Sequence, residues 1–207
     1  MPAANAQPAE RGTPGTAADT AWIVATLARP APMRTSFVEV RGSKLLKAPL
    51  RLSGEYLRPR EDTLVRQVRT PYVETTTIVT PKSGAAQATI ARGGRTRTFS
   101  LARVPELSAL QASFGALLSG DRATLERHYR LAPQGTRAAW TLALTPRDAA
   151  LAAKVQRITL HGRGAELRCI ETAGKAGDVQ RTLLATAARA ADATVDDVRL
   201  VALCRGV

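Results

Sequence analysis

Few residues in this chain of 207 have the types and spacing that chemistry requires. The two histidines, His128 and His161, are 33 positions apart, so no His-x-x-x-His pair offers a metal two ligands from one helix face. No serine sits in a Gly-x-Ser-x-Gly elbow or a Ser-x-x-Lys pair. Asp148 and Glu166 lack a neighbouring carboxylate for acid–base work. Arg92-Gly93-Gly94-Arg95 and Gly174-Lys175-Ala176-Gly177 could suggest phosphate cradles, but neither has P-loop spacing, and hairpin turns account for both. Cys169 and Cys204 come without a CxxC or a His/Cys cluster, which argues against zinc. The reading is of a non-enzyme with no catalytic residues, no metal and no cofactor.

The elements around these residues are mostly strands. In Leu50 to Tyr56, Leu50, Leu52, Gly54 and Tyr56 fall on one face, and Arg51, Ser53 and Glu55 on the other. That alternation marks a half-buried antiparallel strand. Further strands are expected near 35–42 and 63–70, and over Thr75 to Thr80, Gln87 to Ala91 and Thr96 to Leu101, the last two joined at Gly93-Gly94. Ala138, Trp140, Leu142 and Leu144 share one face of a later strand. Lys154 to His161 and Glu166 to Thr172 form a hairpin, and Val198 to Cys204 reads as a last strand. Val179 to Ala191 reads as helix from its alanine content or as strand from its context.

Helices interrupt this plan twice. Asp19 or Thr20 can cap a short helix ending before Pro30. From Pro105 the period changes: Leu107, Leu110, Phe114, Leu117 and Leu118 line one face of a helix that Gly120 ends, and Asp121 caps a second helix through Arg127. The fold class is α+β, a strongly curved antiparallel sheet of nine to eleven strands with helices over its concave face. Residues 1–17, rich in Ala, Pro, Gly and Thr and lacking a secretory-signal pattern, read as a disordered leader, and 18–207 as a single domain. No apolar run is long enough to span a membrane as a helix.

The net charge is +13, mostly from Arg. This indicates either a polyanion partner or an Arg/Ala compositional bias. The arginines are scattered (Arg29, Arg58, Arg66, Arg97, Arg137, Arg163, Arg189), and aromatics are only 4%, too few to stack bases. The reading is of no nucleic-acid partner; docking to an acidic partner or to lipid headgroups is the better use of the charge.

The stretch Phe37 to Pro71 has a specific order. Phe near a helix end is followed by a Leu-x-x-Pro-Leu turn at Leu46 to Leu50, a strand, Arg58-Pro59, and a strand ending in x-Pro. It resembles the start of the LolA-type outer-membrane lipoprotein carriers, and the resemblance covers roughly Asp19 to Leu184. It implies an open, incomplete β-barrel with a helical lid, located in the periplasm, with the signal peptide removed or missed. It implies a monomer that holds lipoprotein acyl chains, or a related lipid, and passes them from a donor to an acceptor membrane protein without a cofactor. The cavity residues would be Leu50, Leu52, Tyr56, Val68, Leu110, Phe114, Leu117, Trp140, Leu142 and Leu144, each of which could equally be plain core. Arg58 would latch the lid, or be a turn residue only. Where the family often has an aromatic, Arg66 or Val68 stands here, which suggests a divergent member. Export would pair Cys169 with Cys204, whereas in a cytosolic protein they would be buried thiols. The alternatives are a LolA-like interaction or sensor domain without transfer activity and, third, a basic nucleic-acid-binding β protein.

Overall fold

The computed structural model describes residues 15–42, 49–103, 114–191 and 195–206. Eleven strands form one sheet: β1 (Met33–Arg41), β2 (Leu50–Arg60), β3 (Thr63–Thr70), β4 (Glu74–Val79), β5 (Gln87–Arg92), β6 (Arg95–Ser100), β7 (Tyr129–Thr136), β8 (Ala139–Pro146), β9 (Val155–Arg163), β10 (Glu166–Gly174) and β11 (Val179–Leu184). Their order is β6-β5-β4-β3-β2-β1-β11-β10-β9-β8-β7, antiparallel throughout and not closed. The expected α+β class with a curved open sheet is what the chain adopts. Gly93 and Gly94, at φ +55 and +75, make the tight β5–β6 turn that side chains rarely tolerate.

Register sets the inner face. Leu52 pairs with Glu39, Glu39 with Thr182, Thr182 with Ile170, Ile170 with Leu160, and Leu160 with Leu142. Because opposed residues share a face, this row runs unbroken across six strands. It is apolar at its ends, with a buried carboxylate, Glu39, in the middle.

Among the described residues, six α-helices accompany the sheet: α1 (Thr20–Leu27), α2 (residues 114–119), α3 (Arg122–His128), α4 (Ala149–Lys154), α5 (Ala185–Ala190) and α6 (Asp197–Arg205). Asp19 caps α1 by accepting from the Trp22 N–H at 2.8 Å, and Asp121 caps α3 by accepting from the Thr124 N–H at 3.0 Å. Ile23, Val24 and Leu27 of α1 pack with Leu117, Leu125, Trp140, Leu142 and Leu160, so α1, α2 and α3 lie on the inner face.

The other face carries helices too. Val38, Cys169 and Leu183 point opposite to Phe37, Ile170 and Leu184, and pack under Ala187, Ala188, Leu200 and Leu203 of α5 and α6. The strand expected over Val198 to Cys204 is therefore corrected to the helix α6. Leu200, Leu203 and Cys204 stand at helical spacing, Asp196 accepts from the Arg199 N–H at 2.7 Å, and Gly206 ends the helix at φ +76. The ambiguous run resolves into β11 followed by α5. Ala185 makes the junction at φ +48, a left-handed conformation uncommon for a residue with a side chain.

Pairing also begins before Ala18: Ala17 bridges Thr136, and the Arg137 N–H donates to the Thr16 carbonyl at 2.9 Å. Pro105, Leu107 and Leu110 lie outside the described residues.

Candidate functional site

The site forms where the inner face of the sheet meets α1 and α2. Three aromatics lead across it. The rings of Phe37 on β1 and Tyr56 on β2 are 4.8 Å apart, and Tyr56 is 6.2 Å from Phe114 on α2. Beyond Tyr56 opens a cavity of about 450 Å³. Leu27, Met33, Phe114, Leu117, Leu167 and Leu184 are among its apolar lining residues, and the chain at Arg29, Arg34 and Arg163 also borders it. A second cavity of about 420 Å³ lies across α2, with Phe114 and Leu118 lining both.

Of the residues expected to line a cavity, Tyr56, Phe114 and Leu117 line the larger one. The others are placed differently. Leu52 and Val68 are buried with Phe37 and Leu184, and half-buried Leu50 packs beside them. Trp140, Leu142 and Leu144 are core beneath α1, filled by Ile23, Val24 and Leu27. The alternation that marks an inward face cannot distinguish a filled interior from a hollow one. Leu110 lies outside the described residues.

Arg58 is buried rather than an exposed turn residue, at 5% accessibility. Its Nη1 donates to the Arg29 carbonyl just past α1, and its Nη2 pairs with the Glu61 carboxylate. Arg29 continues the chain of contacts: its Nη2 donates to the Ala165 carbonyl in the β9–β10 turn at 2.7 Å, and its N–H donates to the Leu118 carbonyl of α2 at 2.9 Å. Glu61 also accepts from the Ala31 N–H at 2.8 Å. The β2–β3 turn, the end of α1, α2 and the β9–β10 turn are thus tied together around the larger cavity.

A buried ionic group lies on the inner face behind Tyr56. Arg41 donates to one oxygen of Glu39, and Arg66 Nη2 donates to the other at 3.2 Å while its guanidinium stacks 4.8 Å over Phe37. Burial opposes the charge on Arg66, but the Glu39 carboxylate and Tyr56 more than offset it and raise its pKa. Burial likewise pushes the Tyr56 phenol above its ordinary range, so it stays protonated. The alternating run Phe37-Val38-Glu39-Val40 placed Glu39 on the inner face in principle; its partner Arg66, 27 residues on, was not legible.

Cys169 and Cys204 form a disulfide joining β10 to α6. His161 stands opposite Cys169 in the register. Burial lowers its pKa, against the pull of Glu171, and its Nε2 has no hydrogen-bond partner. His161, Glu171 and Cys204 bring donor atoms within 4.8 Å of one another. The Cys204 sulfur is committed to the disulfide and Glu171 to Arg181 at 2.7 Å, so the group offers a cation no free thiolate.

A family described as outer membrane lipoprotein carrier protein LolA-like matches residues 12–207. The chain belongs to this family. The match includes the C-terminal segment, which the resemblance seen in the sequence did not reach, so α5 and α6 fall within the LolA-like region. A search of curated protein sequences returns no match. Among solved structures, a LolA superfamily protein from Nitrosomonas europaea is 12% identical, with 79% of this chain and 90% of that one covered at a TM-score of 0.40. An outer membrane lipoprotein-sorting protein domain from Vibrio parahaemolyticus is 8% identical, covering 88% and 95% at 0.39. The MucA/MucB complex of Pseudomonas aeruginosa is 19% identical, covering 88% and 60% at 0.35.

Proposed function

We propose that this LolA-like chain is a periplasmic carrier. It holds the acyl chains of a lipoprotein or a related lipid in the larger cavity and passes them from a donor membrane protein to an acceptor at the outer membrane. The observation that supports this reading is the cavity of about 450 Å³ with a mostly apolar wall that includes five leucines and two aromatics. It falls in the range of about 300–1,000 Å³ typical of small-ligand sites. An unfilled apolar cavity costs on the order of 20–25 cal/mol per Å³, a cost that a bound acyl chain removes. Transfer along a series of partners needs only graded affinity, so no cofactor is required.

Native mass spectrometry of protein purified from cells tests the reading, with a co-purifying lipid mass as the expected result. Leu118→Asn then links the lipid to the cavity. Leu118 is half-buried and faces both cavities, whereas Leu117 is buried core, where a polar side chain would damage the fold. The variant should stay folded and weaken binding of a fluorescent acyl probe several-fold. Equal affinity in the two folded proteins would remove the cavity from the reading.

A further inference from the structure

We infer that the outer face of β7, β8 and β9 docks on an anionic phospholipid membrane surface through Arg130, Arg157 and Arg163. This goes beyond the acyl-carrier reading and stands apart from it, since it concerns what the protein lies against rather than what it holds. Register defines the face. Gln134, Thr141, His161 and Cys169 stand opposite one another across β7 to β10. Cys169 packs outward beneath α6, so this row points away from the cavity. The next outer row is Ala132, Ala143, Thr159 and Glu171. Arg130 on β7 and Arg157 on β9 continue the same alternation beyond that row. Arg163 follows His161 by two residues, and its Cδ lies 3.4 Å from where a Cβ on Gly206, at the end of α6, would stand.

This part of the outer face is uncovered and its charge uncompensated. α1, α3 and α4 bury Leu27, Leu125 and Leu151 in the inner core, while α5 and α6 sit mainly over β10, β11 and β1. The three arginines are exposed, and none has an acidic partner among the described residues. The carboxylate at the border of the face, Glu171, is held by Arg181 at 2.7 Å. Elsewhere on the outer side, Arg34 and Arg69 share Glu55 at 3.8 and 2.6 Å, so the unpaired charge is a local feature of β7 and β9. Between the arginines these rows carry alanine, threonine, glutamine and His161, with no leucine and no large aromatic. A protein partner draws its binding energy from such anchors, whereas adsorption to an anionic bilayer needs only cations near the surface. Arg130 and Arg157 are two strands apart, about 10 Å, and Arg157 and Arg163 about 20 Å apart along β9. They therefore meet separate headgroups rather than converge on one phosphate.

Co-sedimentation with vesicles tests this. The chain should pellet with vesicles of equal parts phosphatidylcholine and phosphatidylglycerol and stay in solution with phosphatidylcholine alone. Binding should be lost in about 1 M salt, where charges are screened beyond about 3 Å. Arg130→Gln, Arg157→Gln and Arg163→Gln together should weaken partitioning about a hundredfold, at about fivefold per arginine. The three corresponding Lys substitutions should keep it within a few-fold, because adsorption reads charge. Arg95→Gln, Arg97→Gln and Arg103→Gln remove the same charge from exposed positions on and just after β6 and should have a much smaller effect. Thermal melts confirm that each variant folds. Equal weakening by the two glutamine triples would assign the binding to overall charge and overturn the inference. A chain that ignores both vesicles would overturn it too, and leave the face to an acidic protein or to none. Leu118→Asn, aimed at the cavity, should not change vesicle binding, so the carrier reading and this one fail separately.

Discussion

The Arg29 guanidinium lies 2.7 Å from the Ala165 carbonyl, joining the end of α1 to a turn 136 residues away. The carbonyl of the same Arg29 accepts from Arg58. One residue therefore relays the buried Arg58 contact to the far side of the larger cavity.

The two arginines should behave differently when replaced. Arg58→Leu strands the Arg29 carbonyl and releases Glu61, and should lower stability by about 1–3 kcal/mol in denaturant titration. Arg58→Lys should recover only part of this, lacking the planar fork of donors. Arg29→Gln, at an exposed position, should change stability little, yet both Arg29→Gln and Arg58→Leu should speed dissociation of a bound acyl probe in stopped-flow displacement. An unchanged dissociation rate in Arg29→Gln would show that the bond to Ala165 takes no part in opening.

Trp140 lies flat against Gly162. A Cβ added there would stand 2.0 Å from its Cζ2, while the indole Nε1 donates to the Gly164 carbonyl at 2.9 Å. Gly162→Ala must displace a large ring fixed by that bond and by the core under α1, and should cost about 1–3 kcal/mol. Gly115→Ala on α2, where the added methyl meets nothing, should be neutral or stabilise by up to about 1 kcal/mol. Denaturant midpoints of the two variants provide the comparison, and equal midpoints would show that Trp140 moves aside freely.

The disulfide closes a loop with a sequence separation of 35 onto β10. In the chain-entropy picture, a loop of that length is worth about 4 kcal/mol. Protein from an oxidising compartment, denatured without reductant, should show no free thiol, and Cys204→Ser should lose about 2–5 kcal/mol. Finding two thiols in that protein would show that the disulfide does not form and remove this support for α6.

What the sequence determined by itself is local. Alternating residues made β2 a half-buried strand, Asp19 and Asp121 capped their helices, and Gly93-Gly94 turned β5 into β6, because each rests on contacts within a few residues. Val198 to Cys204 was misread as a strand for a related reason. Its apolar residues fit a period of two almost as well as the helical spacing of Leu200, Leu203 and Cys204, and only packing against β10 and β11 decided between them. Tertiary structure alone decided which inward residues became core and which faced a cavity. Trp140, Leu142 and Leu144 were filled over by α1, while Tyr56 and Phe114 were left at an opening. It alone brought Glu39 to Arg66 and Arg29 to Ala165. Those pairings depend on strand register and on where α1 and α2 settle across the sheet, which no short window of residues contains.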